Sequence, residues 1–248
     1  MSSSPEFNKV NNISQILQDA FGYWQKTIGF QILFSVLYFG LLMTFAVGLF
    51  NYFGLVTEME SFRKLFSGNY TIISQTLAEL MENTSFQHFV FSIMIVKSLL
   101  YPLNIGFYEI YKKIDLGEIP STSDLIIGYN GYFFLRFFGY HLFWSMIYSY
   151  SYAGMLQPLP ILWVFLTLFA APLMYFLRMG IFTSIHLNFM ALKTNFTTIF
   201  VGVLVAFIFS YAGFFALGIG SLLTFPFWNA MIYTLYKQIF KIKVIHQL

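Results

Sequence analysis

The sequence predicts an all-α, polytopic membrane protein: six transmembrane helices in three hairpins, with amphipathic helices at the interfaces. Three observations predict it. The 248 residues are 58% hydrophobic and only 9% charged, whereas a soluble domain carries about 25% charged residues. The apolar residues form continuous runs, not the alternating segments of about 10 residues that build a membrane barrel. The charges stand between runs long enough to cross hydrocarbon, which takes about 20 residues. The same composition excludes a disordered chain and a nucleic-acid binder. The absence of cysteine excludes disulfides, thiolate metal sites and cysteine catalysis.

Residues 1–27 read as a cytoplasmic interfacial segment. Ile13, Ile16, Leu17, Ala20, Phe21 and Trp24 form one apolar stripe, opposite Gln15, Gln18, Asp19 and Gln25. Trp24 and Lys26 have the character of interface anchors. Met1 to Lys26 is polar, unlike a cleavable signal. The membrane domain covers 28–240, with spans at roughly 28–53, 86–110, 131–153, 158–180, 197–217 and 219–240. Gln157-Pro158-Leu159-Pro160 marks the turn between the third and fourth spans, and Gly218-Ile219-Gly220 that between the fifth and sixth. The outer loop, 54–85, holds an amphipathic segment from Tyr70 to Glu82. Its Ile72, Ile73, Thr76, Leu77, Leu80 and Met81 fall at helical spacing, for the outer membrane surface, a partner or its own bundle. Residues 241–248 form a basic cytoplasmic tail.

Orientation follows from the cations. Lys9, Lys26, Lys112, Lys113, Arg136, Arg178, Lys193, Lys237, Lys241 and Lys243 collect on one side, and only Arg63 and Lys64 on the other. The positive-inside rule then puts both termini in the cytoplasm of a bacterial inner membrane.

Lys97 is the most informative single residue. It sits near the middle of the second span, where a lysine costs about 2.5–3.5 kcal/mol. It reads as a contact for an anion or lipid phosphate, as a partner for another protein's carboxylate, or as a side chain that snorkels outward. Asn104, Tyr101, Ser92 and Ser98 share its span and are candidates to share its hydrogen bonds. Arg136, Arg178 and Lys26, near the inner boundary, are candidate lipid-phosphate contacts or plain topology anchors. His88, His141, His186 and His246 are scattered and lack helical ligand spacing, so no metal or cofactor is expected. No carboxylate pair lies deep in a span, and no serine has a neighbouring base, which argues against an enzyme. Gly180, Gly202, Gly213, Gly218 and Gly220 are candidates for close helix approach.

A weak repeat is also visible. Trp24-Gln25-Lys26-Thr27-Ile28-Gly29 and Phe134-Leu135-Arg136-Phe137-Phe138-Gly139 share one pattern, and the even-numbered spans hold Pro102, Pro172 and Pro226. Such aromatic-basic pairs and prolines are also common at membrane interfaces and in membrane helices that are not repeated. With the ending Gly218-Ile219-Gly220-Ser221-Leu222-Leu223-Thr224-Phe225-Pro226, followed by Tyr233 and Tyr236-Lys237-Gln238, the chain resembles uncharacterised flavobacterial-type six-span families. These are similar to the membrane domain attached to some glycerophosphodiester phosphodiesterases. The resemblance implies six spans and carries over no catalytic residue. Flavobacterial proteins of this look are sometimes labelled carotene monooxygenases; the scattered histidines argue against that chemistry. The expected role is a non-enzymatic accessory or scaffold subunit that contacts membrane lipids and other integral membrane proteins. The alternative is a small transporter or lipid-handling protein with an anionic headgroup or substrate near Lys97.

Overall fold

A computed structural model describes residues 7–10, 12–153, 158–215 and 218–240, and every regular element among them is helical. Four helical stretches are long and apolar enough to cross a membrane: Ile28–Tyr52, Thr84–Asp115, Leu159–Phe176 and Ile181–Phe215. The chain divides into a larger unit, residues up to 37 with 101–248, and a smaller one, Tyr38–Leu100.

In the larger unit the chain enters through α1 (Ile13–Lys26), whose N-cap Asn12 accepts from the Gln15 N–H. The inward line of α1 is Ile16, Ala20 and Tyr23, so the expected stripe omitted Tyr23. Thr27 separates α1 from α2 (Ile28–Tyr52), which is apolar all round. The first turns of α2 join the larger unit, with Phe34 packed 5.1 Å from Phe107.

The smaller unit takes in the rest of α2, a 3-10 turn (Leu55–Glu58), α3 (Met59–Lys64), α4 (Tyr70–Glu82) and α5 (Thr84–Leu100). Both ends of α4 are set by asparagines. Asn69 caps it by accepting from the N–H groups of Thr71 and Ile72, and Asn83 accepts from the Phe86 N–H to start α5. Thr76 and Leu80 are the buried positions of α4, while Ile72, Leu77 and Met81 stay exposed.

The larger unit resumes with α6 (Pro102–Asp115), a 3-10 segment (Thr122–Tyr129), α7 (Gly131–Ala153), α8 (Pro158–Thr167), α9 (Ala170–Phe176), α10 (Ile181–Phe215), α11 (Ser221–Thr224) and α12 (Phe227–Ile239). Pro158 and Pro160 begin α8, where a missing N–H costs nothing; the Gln157 position of the expected turn lies outside the described residues, as does the tail 241–248. Helix α10 begins at Ile181, well before the expected span at 197, so His186 and Lys193 are helical. The two halves of α10 meet at Asn195, whose backbone is non-helical (φ −127°, ψ 31°). The N-terminal strap fills the kink. The Val10 N–H donates to Asn195 Oδ1 and Asn195 Nδ2 donates to the Asn8 carbonyl, both at 2.8 Å. The Thr198 hydroxyl closes on the Val10 carbonyl, and the Asn8 N–H reaches the Ile239 carbonyl at 2.9 Å.

Helix α12 is buried on nearly all sides, and α1 packs along it. Its neighbours approach closely where side chains are missing. A methyl on Gly213 would meet Gly220 backbone at 2.3 Å, while Gly180, an expected approach point, has nothing near it. Gly106 lets the 3-10 segment lie against α6: a Cβ there would stand 2.4 Å from Leu125 Cα. Gly106→Ala is therefore expected to cost about 1–3 kcal/mol by forcing a backbone shift, against no change for Gly180→Ala, measured by reversible unfolding in mixed micelles.

Candidate functional site

Pairwise contacts set the register of three half-helices. Asn104 pairs with Asn229, Tyr111 packs on Tyr233, and Asp115 meets Lys237, so α6 and α12 run parallel. Tyr175 and Phe176, at the end of α9, reach Glu109 and Tyr236. Each half-helix follows an interruption of the hydrogen-bond ladder near a proline, while the backbone stays helical at Tyr101 (φ −57°, ψ −38°) and Phe225 (φ −53°, ψ −44°). α6 follows Tyr101, with Pro102 at its first position; α9 follows Leu168-Phe169, with Pro172 in its first turn; α12 follows Phe225-Pro226.

The interruption before α9 is held by Asn188 of α10, which is fully buried. Its Oδ1 accepts from the Phe169 N–H and its Nδ2 donates to the Phe165 carbonyl, each at 2.7 Å. Within a membrane such freed backbone groups must find partners inside the protein.

The three interruptions border one cavity of about 230 Å³ within the larger unit. Tyr101, Asn104 and Tyr108 line it from the first, Thr167, Leu168 and Ala171 from the second, and Trp228, Asn229 and Ile232 from the third. Tyr140, His141 and Trp144 of α7 and Val164 of α8 complete it. Its polar atoms are partly committed. Asn229 Nδ2 donates to Asn104 Oδ1 at 3.1 Å, Asn104 Nδ2 donates to the Tyr101 carbonyl, and Trp144 Nε1 donates to Thr167 Oγ1 at 2.9 Å. The ring of His141 stacks on Tyr101 with centroids 4.6 Å apart. Tyr108, only 2% exposed, makes no hydrogen bond among the described residues. Pro172 has no N–H for the carbonyl four residues before it, that of Leu168. No aspartate, glutamate, lysine or arginine lines the cavity.

Beyond the far ends of the half-helices lies a charged layer. Asp115 accepts from the hydroxyls of Tyr23 and Tyr233, the latter at 2.7 Å, and pairs with Lys237 at 2.8 Å. Lys237 also donates to the Tyr23 hydroxyl at 2.9 Å. Burial, and then the Asp115 carboxylate, hold the Tyr23 hydroxyl well above the usual phenol range. Nearby, Glu109 accepts from Tyr175 at 2.6 Å and from Lys112, and Asp124 pairs with Lys113 at 2.8 Å.

Burial pushes the Asp124 carboxyl up, but the Lys113 ammonium and the Ser121 N–H outweigh it and hold the group below its usual range. A depressed carboxyl stabilises the fold above its unfolded value and loses that stabilisation as pH falls through its folded value. Stability is therefore expected to decline below about pH 4, and Asp124→Asn to flatten that acid limb in unfolding measured against pH.

The residues expected to bind lie apart. Lys97 belongs to the smaller unit, is exposed, and makes no polar contact among the described residues; Ser98 is buried and donates to the Met94 carbonyl. Asn104 alone of the candidates reaches the cavity. Arg136 sits with its guanidinium 4.5 Å from the Tyr132 ring, Arg178 is exposed at a positive φ of 52° between α9 and α10, and Lys26 is exposed at the end of α1. Sequence reasoning missed Tyr108, Asn229 and the α7 aromatics. The three even-span prolines were the signal for where to look.

No family model, curated protein or solved structure matches the chain.

Proposed function

We propose that the chain is a non-enzymatic six-span protein of a bacterial inner membrane that binds a small polar solute or a lipid headgroup, as a small transporter or lipid-handling protein. The observation that carries this reading is the meeting of three helices, each with its hydrogen-bond ladder broken near a proline, at one partly polar cavity; transporter sites are commonly built where helices are broken. The parallel half-helices α6, α9 and α12 also support three repeated hairpins. Helix α7, 23 residues long, and the stretch 218–240 supply the fifth and sixth crossings. The bond from the Asn8 N–H to the Ile239 carbonyl supports an even number, with both termini on the cytoplasmic side. Arg136, Arg178 and Lys26 are then lipid-phosphate contacts.

The test is native mass spectrometry of protein extracted in lipid nanodiscs. Wild type is expected to retain one small molecule or lipid per chain, and Val164→Trp, which fills the cavity, to lose it. An identical complement in both would overturn the reading.

The accessory-subunit reading draws on the smaller unit, where Phe66 is 88% and Tyr70 84% exposed beside the basic pair Arg63 and Lys64. Another integral membrane protein covering that surface would co-purify from native membranes and be lost on Phe66→Ser/Tyr70→Ser; a bare monomer would sink this alternative.

A further inference from the structure

We infer that the cavity takes an uncharged, hydroxyl-rich head, of the sugar or cyclic-polyol kind, carried on a lipid or free. This rests on the binding reading above and adds the ligand's class. An ion entering here would leave water for a site lined by no carboxylate, ammonium or guanidinium, a transfer that costs several kcal/mol per ion. The free polar atoms fit a hydroxyl group, which donates and accepts at once. The Tyr108 and Tyr101 hydroxyls are available for either role, the Trp228 N–H donates, and the Asn229 amide oxygen accepts. A quaternary ammonium is recognised by open aromatic faces. Here the Tyr101 face is stacked on His141, and Trp144 is stacked on Tyr148 at 5.3 Å. What the rings leave open is room beside apolar walls, suited to the C–H face of a sugar ring.

Trp144 and Trp228 line the cavity, so tryptophan fluorescence reports occupancy. Protein in nanodiscs of phosphatidylethanolamine and phosphatidylglycerol would be titrated with methyl glucoside, myo-inositol, choline and inorganic phosphate. The neutral polyols are expected to give a saturable change. Tyr108→Phe, which removes one oxygen and keeps the ring, should weaken it about tenfold, and Asn229→Leu more. An octyl glucoside that binds far more tightly than methyl glucoside would identify a lipid-borne head; equal affinities would identify a free sugar. Saturation by choline or phosphate alone would overturn the ligand class and leave the binding reading standing. If no probe saturates while Val164→Trp still strips a retained molecule, the class again falls alone. If no probe saturates and nothing is retained, both fall.

Discussion

Replacing Asp115 with leucine is expected to lower stability by about 3 kcal/mol, among the largest losses available to a single side chain in this protein. The carboxylate is the common acceptor for two phenolic hydroxyls and one ammonium, drawn from α1 and α12. Removing it strands both phenolic hydroxyls and leaves the ammonium with only the Tyr23 oxygen. A buried donor left without a partner costs about 1–3 kcal/mol, and the ammonium adds less, because Lys237 is about a third exposed. Asp115→Asn, which keeps an acceptor oxygen, should cost about half as much. Pairing Asp115→Leu with Lys237→Met should recover part of the loss, since the stranded cation goes with it. Reversible unfolding in mixed micelles reads all three, and a change below about 1 kcal/mol in Asp115→Leu would show that the layer is dispensable. The Tyr23 hydroxyl adds an alkaline limb. Its raised value means that its contribution is complete below about pH 10, the unfolded value, and is lost as pH climbs through the folded one.

Asn188→Leu is the second large effect, expected at about 2–4 kcal/mol. The substitution keeps the volume and removes both clasps on the interruption before α9, so a buried N–H and a buried carbonyl lose their partners together. Because Thr167 and Leu168 line the cavity, the same substitution should also reduce retention of the bound molecule. Unfolding measures the first loss and native mass spectrometry the second. Full stability would mean that the backbone groups find other partners.

Much of the helical framework was legible. Helix α7 spans Gly131–Ala153 and α4 spans Tyr70–Glu82, the bounds that hydropathy and periodicity predict, and the Gly218 turn lies where the glycines place it. Those signals are local. The asparagines were not legible in the same way. Asn188 and Asn195 fall between two expected spans and Asn229 inside the last, and their meaning depends on partners at Phe169, Asn8 and Asn104. The last pair lies 125 positions apart. The prolines of the even spans did announce the interruptions. That the interruptions share one cavity is a fact of tertiary register, which periodicity does not encode.

The packing of α1 along α12 bears on biogenesis. Helix α1 is made well before α12, so this amphipathic segment lacks its main packing partner while the helices between them are synthesised. Contacts this far apart in sequence close late and slowly. The nascent protein therefore needs α1 shielded, by the insertion machinery or by the lipid surface, until α12 has been made.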